Sequence, residues 1–188
     1  MAPQAGAKFK ATPISLPEVL LLEPRVFGDD RGFFFESYNK QALADAGISD
    51  EFVQDNHSYS AFNVLRGLHY QLRNVQAKLV RVVTGEILDV AVDLRRSSPN
   101  CGKYCSAILS GENKHMLYIP REFAHGFRVL SQTAHVLYKS SDFYDPESER
   151  VIIWDDPDIA IDWRSENQPV LSTKDAAGIR LRDAELFG

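Results

Sequence analysis

A histidine and an arginine share one apolar run, Val64-Leu-Arg66-Gly-Leu-His69-Tyr-Gln71. Histidine titrates near neutrality, so an imidazole held in an apolar strand can take a proton from a carbon acid. An arginine nearby can hold a phosphate through the paired N–H donors of its guanidinium. Further polar singletons stand in similar settings: Lys78, Asp89, His125, Tyr138 and Asp175. A lysine can stabilise a developing oxyanion, and a tyrosine can return a proton to carbon. Together these residues point to a pocket inside a β-barrel that does proton chemistry on an anionic substrate.

Each residue also has a plainer reading. His69 alternates with Leu65 and Gly67 on one strand face, where a histidine is often a satisfied core residue. Arg66 has the opposite parity and would point away from His69 in a regular strand, although Gly67 permits a bulge that re-aims one of them. His125 sits where a loop enters a strand, a common place for site residues and also for turn histidines. Tyr138 reads equally as a packing residue. Asp175 reads as a first-turn helix acid or as the orienting partner of a histidine.

The elements that must position these groups are short and closely spaced. Strand-like runs cover residues 19–22, 32–38, 64–71, 79–83, 87–94, 105–109, 115–119, 126–130, 134–138 and 151–154, bounded by Gly, Pro, Asn or Asp. That spacing predicts an all-β sandwich or barrel, with a jelly roll as a common outcome. Residues 40–46 form one short helical run stopped by Gly47, and a second begins at Ser172-Thr-Lys-Asp175. Residues 1–12 read as a loose arm. Runs 79–83 and 87–94 flank Thr84-Gly85, which predicts a two-residue hairpin pairing Val80 with Asp89. Lys78 and Asp89 then share a face, and Leu88, Val90, Val92 and Leu94 form a dry stripe behind them. Trp154-Asp-Asp-Pro-Asp158 lacks the alternating ligands and glycine of a calcium loop and reads as a turn.

The chain has 188 residues and a formal net charge of -5, which argues for one domain and against a nucleic-acid or anionic-membrane surface. Cys101 and Cys105 have neither C-x-x-C spacing nor a second pair to complete a zinc site, so they read as free thiols of a reducing, cytoplasmic compartment. No apolar signal region follows the N-terminal basic residues. No glycine-rich dinucleotide fingerprint is present.

Taken together, several ordered blocks resemble the dTDP-4-dehydrorhamnose 3,5-epimerase family. They are Phe27-Gly-Asp-Asp-Arg31-Gly-Phe-Phe-Phe-Glu36-Ser, Phe52-Val-Gln54-Asp-Asn56-His-Ser, Val64-Leu-Arg66-Gly-Leu-His69-Tyr-Gln and Lys78-Leu-Val-Arg-Val. Asp89-Val-Ala-Val-Asp-Leu-Arg, Ile119-Pro-Arg-Glu-Phe-Ala-His125-Gly-Phe, Leu137-Tyr138-Lys and Leu171-Ser-Thr-Lys-Asp175-Ala-Ala complete the set. The resemblance implies a cupin-like double-stranded β-helix (jelly roll), a homodimer with strand exchange, and no cofactor or metal. It also implies roles: His69 as base with Asp175 as dyad partner, Tyr138 as acid on the other face of the sugar, and Lys78 on the oxyanion. His125 and Asp89 would form a supporting pair, Arg31 and Arg66 would hold the diphosphate, and Phe27, Glu36, Gln54 and Asn56 would line the nucleotide or sugar site.

Three rivals stay open at the level of sequence. A metal-dependent cupin usually carries H-x-H, which His69-Tyr-Gln71 breaks. A sugar-binding jelly roll has no need of an Asp–His pair. A single-carbon epimerase or a 3,4-ketoisomerase of the same scaffold would share much of this motif set.

Overall fold

The computed structural model describes residues 8–164 and 167–188. Six strands form one antiparallel sheet: β1 (Phe9–Pro13), β2 (Leu20–Pro24), β5 (Gln54–Ala61), β7 (Lys78–Thr84), β10 (Met116–Ile119) and β12 (Thr133–Ser140), in the order β1-β2-β10-β7-β12-β5. Five form a second: β6 (Leu65–Gln71), β8 (Glu86–Asp93), β9 (Tyr104–Ser110), β11 (Phe123–Val129) and β13 (Glu149–Val151), in the order β13-β6-β11-β8-β9. A separate two-stranded ribbon joins β3 (Phe27–Asp29) to β4 (Gly32–Phe34). This is the cupin-like jelly roll that the strand spacing predicts. The helices α1 (Lys40–Asp45) and α2 (Thr173–Ala176) are short. Asn39 caps α1 by accepting the Ala42 N–H at 3.0 Å, and Ser172 caps α2.

Three apolar clusters hold the layers. Val80, Val82 and Val136 of the first sheet meet Ile87, Ala91 and Phe127 of the second to form the inner core. The reverse face of the second sheet, with Leu65, Leu68, Leu88, Val90 and Val92, is covered by Ile152, Ile159 and Trp163. β8 is therefore buried on both faces, which is why residues 87–94 read as a nearly continuous apolar run with one interior acid. Leu43 and Ile48 cover Leu22, Leu79 and Met116 on the outside of the first sheet.

Several expectations need correction. β7 and β8 do not form a hairpin. The chain crosses from one sheet to the other at Thr84-Gly85, and β7 pairs with β10 and β12 while β8 pairs with β9 and β11. A two-residue link can close a hairpin or step between packed sheets, and alternation in the flanking strands does not tell them apart. Gly85 lies at φ +85 with no room for a Cβ beside Thr133, so the crossing is tightly packed. The loose arm was assigned to residues 1–12. Residues 9–12 belong to β1, and residues 1–7 lie outside the described residues. Of the run 32–38, only Gly32–Phe34 is strand. β5 gave no apolar alternation because its inward residues Gln54, Asn56 and Ser58 face a polar cavity rather than the core. His125 lies within β11, not in a loop before it.

Candidate active site

A cavity of about 380 Å³ opens between the two sheets. The second sheet contributes Arg66 and His69 from β6 and His125 from β11. The first sheet contributes Lys78 from β7, Tyr138 and Ser140 from β12, and Gln54 and Asn56 from β5.

Arg66 and His69 reach the same cavity because β6 carries a bulge. His69 pairs with His125, and Arg66 pairs with Phe127, so Gly67 and Leu68 together oppose the single residue Gly126. Positions 125 and 127 share one face of β11, so their partners 69 and 66 share one face of β6. The parity conflict in the sequence is resolved by the extra residue. Glycine is required on both strands: a Cβ at Gly67 would lie 2.5 Å from the Gly126 Cα, and one at Gly126 would lie 2.7 Å from the Arg66 carbonyl oxygen.

His69 Nε2 lies 2.5 Å from Asp175 Oδ1, and the Ser172 hydroxyl donates to Asp175 Oδ2 at 2.7 Å. Asp175 is 4% exposed. Burial pushes its carboxyl up, but hydrogen bonds from His69, Ser172 and the Gly67 N–H outweigh burial and hold it below its ordinary value. An anionic Asp175 keeps the proton on His69 Nε2. Among the described residues nothing is bonded to Nδ1, which is left with a lone pair.

The second imidazole repeats the arrangement at greater depth. His125 Nε2 lies 2.7 Å from Asp89 Oδ1, with the residues 5% and 0% exposed. Burial lowers the His125 pKa, against the pull of Asp89, so the ring is neutral at pH 7. Lys78 is wrapped by protein apart from its opening to the cavity. Burial drives its ammonium down to about 8, with Glu149 and Asp89 opposing the change. Lys78 and Asp89 therefore do share an interior, though they come from facing sheets rather than from one hairpin. Among the described residues Lys78 makes no hydrogen bond or ion pair. Tyr138 faces the second sheet from across the cavity, its ring 6.5 Å from that of His125. Burial raises its phenol, which stays protonated well above neutrality.

The sequence reading missed a charged group at the cavity wall. Glu149 of β13 accepts from the Tyr144 hydroxyl at 2.6 Å and pairs with Lys174 at 2.6 Å. Burial raises the Glu149 pKa, and those two partners outweigh burial and leave it low. Lys174 stands next to Asp175 in a block already singled out, so a signal for it existed. Glu149 had none. Arg66 donates to the Ser60 hydroxyl at 3.0 Å, and Gln54 donates to Asn56 at 2.8 Å.

Phe27, Arg31 and Glu36 do not line this cavity. Arg31 pairs with Asp29 on the β3–β4 ribbon, and Glu36 pairs with Lys8 at 3.0 Å. Three of the proposed substrate-binding residues are therefore absent from the cavity of their own chain, because the ribbon carrying two of them projects away from the sheets. Among the described residues, no three His, Cys, Asp or Glu side chains are grouped to hold a metal ion.

Comparison with known proteins adds a second line of evidence. Residues 13–183 match the family model described as dTDP-4-dehydrorhamnose 3,5-epimerase. The chain is 58% identical to the dTDP-4-dehydrorhamnose 3,5-epimerase of Pseudomonas aeruginosa, over 95% of this chain and 99% of that protein. Its fold superposes with a TM-score of 0.92 on the Legionella pneumophila dTDP-6-deoxy-D-glucose-3,5-epimerase solved with dTDP-4-keto-L-rhamnose, at 48% identity, covering 94% of this chain and 95% of that one. A 3'-monoepimerase from Streptomyces bikiniensis, solved with dTDP-quinovose, shares the scaffold at a TM-score of 0.84 and 29% identity, over 90% of this chain and 87% of that one.

Proposed function

Since the chain belongs to the dTDP-4-dehydrorhamnose 3,5-epimerase family, we propose that this cavity carries that reaction with His69 as base and Tyr138 as acid. The enzyme is an isomerase that inverts C3 and C5 of dTDP-4-dehydro-6-deoxy-D-glucose, giving dTDP-4-dehydro-L-rhamnose in dTDP-L-rhamnose biosynthesis.

The C3–H and C5–H bonds flank the C4 ketone, which acidifies them. His69 Nδ1 removes one such proton. The C–H electron pair becomes the ring double bond, and the carbonyl π pair moves onto oxygen. Lys78 opposes the charge that develops there, and such preorganised stabilisation is often the largest single contribution to rate. Tyr138 then protonates the same carbon from the opposite face and inverts it. Each inversion leaves an imidazolium and a phenolate, which proton exchange with solvent resets. Asp175 favours the imidazolium form of His69, and the neutral His125–Asp89 pair supports the floor beside Lys78. Arg66 suits the diphosphate, with Gln54 and Asn56 on the same wall. The distant nucleotide supplies binding energy for positioning the ring.

The observation that carries this reading is the placement of His69 and Tyr138 on opposite sheets around one cavity. Incubation with dTDP-4-dehydro-6-deoxy-D-glucose in heavy water, read by NMR, tests it. Deuterium at C3 and C5 with inversion is expected. Exchange at one carbon alone would indicate a monoepimerase, a shifted ketone a ketoisomerase, and no exchange a binding protein.

We further propose that the working unit is a homodimer of single-domain chains (residues 1–188), in which strand exchange lends each cavity the partner's β3–β4 ribbon. The support is that Phe33 and Phe34 are 63% and 67% exposed on that ribbon, and that Phe27, Arg31 and Glu36 find no substrate cavity on their own chain. The reaction draws on no cofactor or metal. Among the described residues no helix is long and apolar enough to cross a membrane. Free Cys101 and Cys105 suit a reducing compartment, so the cytoplasm is the proposed location.

A further inference from the structure

Ser140 is 1% exposed and lines the cavity, yet its hydroxyl has no hydrogen-bond partner. Buried hydroxyls are nearly always paired, so an orphan at a reaction site calls for a reason. The strand register supplies one. Ser140 stands directly opposite Lys78 on β7, two residues along the same face from Tyr138. Directly opposed residues carry their Cβ atoms about 5 Å apart. Lys78 likewise has no partner among the described residues. A buried ammonium and a buried hydroxyl, adjacent and both unsatisfied, thus face one volume beside the proposed acid. Two donors without acceptors make a site for an oxygen that gains negative charge.

We infer that Ser140 is a catalytic residue: its hydroxyl donates, beside Lys78, to the C4 oxygen of the substrate as the enolate forms. This rests on the function proposed above. The hydroxyl keeps its proton throughout. It stabilises the oxygen receiving the carbonyl π pair, while His69 and Tyr138 do the transfers at carbon. A hydroxyl suits this place because a second cation would add repulsion against Lys78 and lower its pKa further.

Ser140→Ala, compared with Ser140→Thr and the wild type on dTDP-4-dehydro-6-deoxy-D-glucose, tests the assignment. Removing an orphan buried hydroxyl leaves the melting temperature unchanged or raised. Loss of one oxyanion donor lowers kcat by about 100-fold. KM should stay within threefold, with exchange at C3 and C5 slowed alike. Ser140→Thr restores most of kcat because it restores the donor. The inference is overturned if Ser140→Ala retains kcat within twofold, if Ser140→Thr is as impaired as Ser140→Ala, or if Ser140→Ala is unfolded or loses activity only in step with stability. Those outcomes count against Ser140 alone when the wild type exchanges both carbons. A wild type that exchanges neither would instead remove the proposed function itself.

Discussion

Lys78→Met should leave the protein more stable and almost inactive. In the fold the Lys78 ammonium is pushed down from 10.5 to about 8, chiefly by burial, with Glu149 and Asp89 resisting. At pH 7 the folded and unfolded chains both carry the charge, but the folded chain holds it at a disadvantage of about 3 kcal/mol, at about 1.4 kcal/mol per pH unit. Methionine has a similar length and no charge, so the variant should gain on the order of 1–3 kcal/mol, or about 3–8 °C in Tm for a chain of this size. The pH dependence is the sharper test. With the folded pKa below the unfolded one, the unfolded chain binds more protons between about 8 and 10.5. Wild-type stability from this group is therefore lowest below about pH 8 and climbs as pH rises to 10.5. The variant lacks that climb, so the two should converge. Urea denaturation at pH 7 and pH 10 measures both arms. Activity should fall by about 10²–10³, because the charge facing the developing enolate is gone. A variant less stable than wild type at pH 7, or a stability gap that is the same at pH 7 and pH 10, would refute the reasoning.

The same electrostatics give three further outcomes. The pH profile of kcat/KM should fall above about pH 8 as the Lys78 ammonium is lost, and Lys78→Arg should move that limb to higher pH. Asp175→Asn should lower kcat by about 10²–10⁴ with little change in KM, since the base loses the anion that orients it. Because the folded Asp175 pKa is depressed, its stabilisation is complete above about pH 4 and is lost as pH falls through the lower folded value; Tm of Asp175→Asn should therefore vary less with pH at the acid end. Arg31→Ala should raise KM without changing kcat if the ribbon serves the partner's cavity, and light scattering should show the same dimer as wild type.

Much of the jelly roll was legible because its strands obey simple patterning. Residues 87–94 alternate Asp89 inward with a dry stripe outward, and α1 announces itself through its cap and Gly47. The elements that escaped are those whose burial is polar. β5 buries Gln54, Asn56 and Ser58 against a wet cavity, so its sequence shows no apolar period although eight residues pair with β12. The Thr84-Gly85 link was misread because turn chemistry is local, while the choice between pairing and crossing is made by β10, β11 and β12, far away in sequence. Arg66 and His69 could be brought together only by a bulge. Gly67 hinted at it, but its register depends on Gly126, some sixty residues on. The His69–Asp175 and His125–Asp89 pairs were suspected from a resemblance between motifs, and no spacing in the chain yields them. Glu149 sits beside a strand-like run and carries no local mark of its role, which comes from Tyr144 and Lys174.

One measurement bears most directly on the division of labour between base and acid: position-resolved deuterium uptake by Tyr138→Phe and His69→Ala on the keto sugar nucleotide in heavy water. If His69 removes the proton and Tyr138 returns it from the other side, Tyr138→Phe takes up deuterium without inverting the carbon, and His69→Ala takes up none while still binding dTDP. Full exchange in His69→Ala, or normal inversion in Tyr138→Phe, would contradict the account.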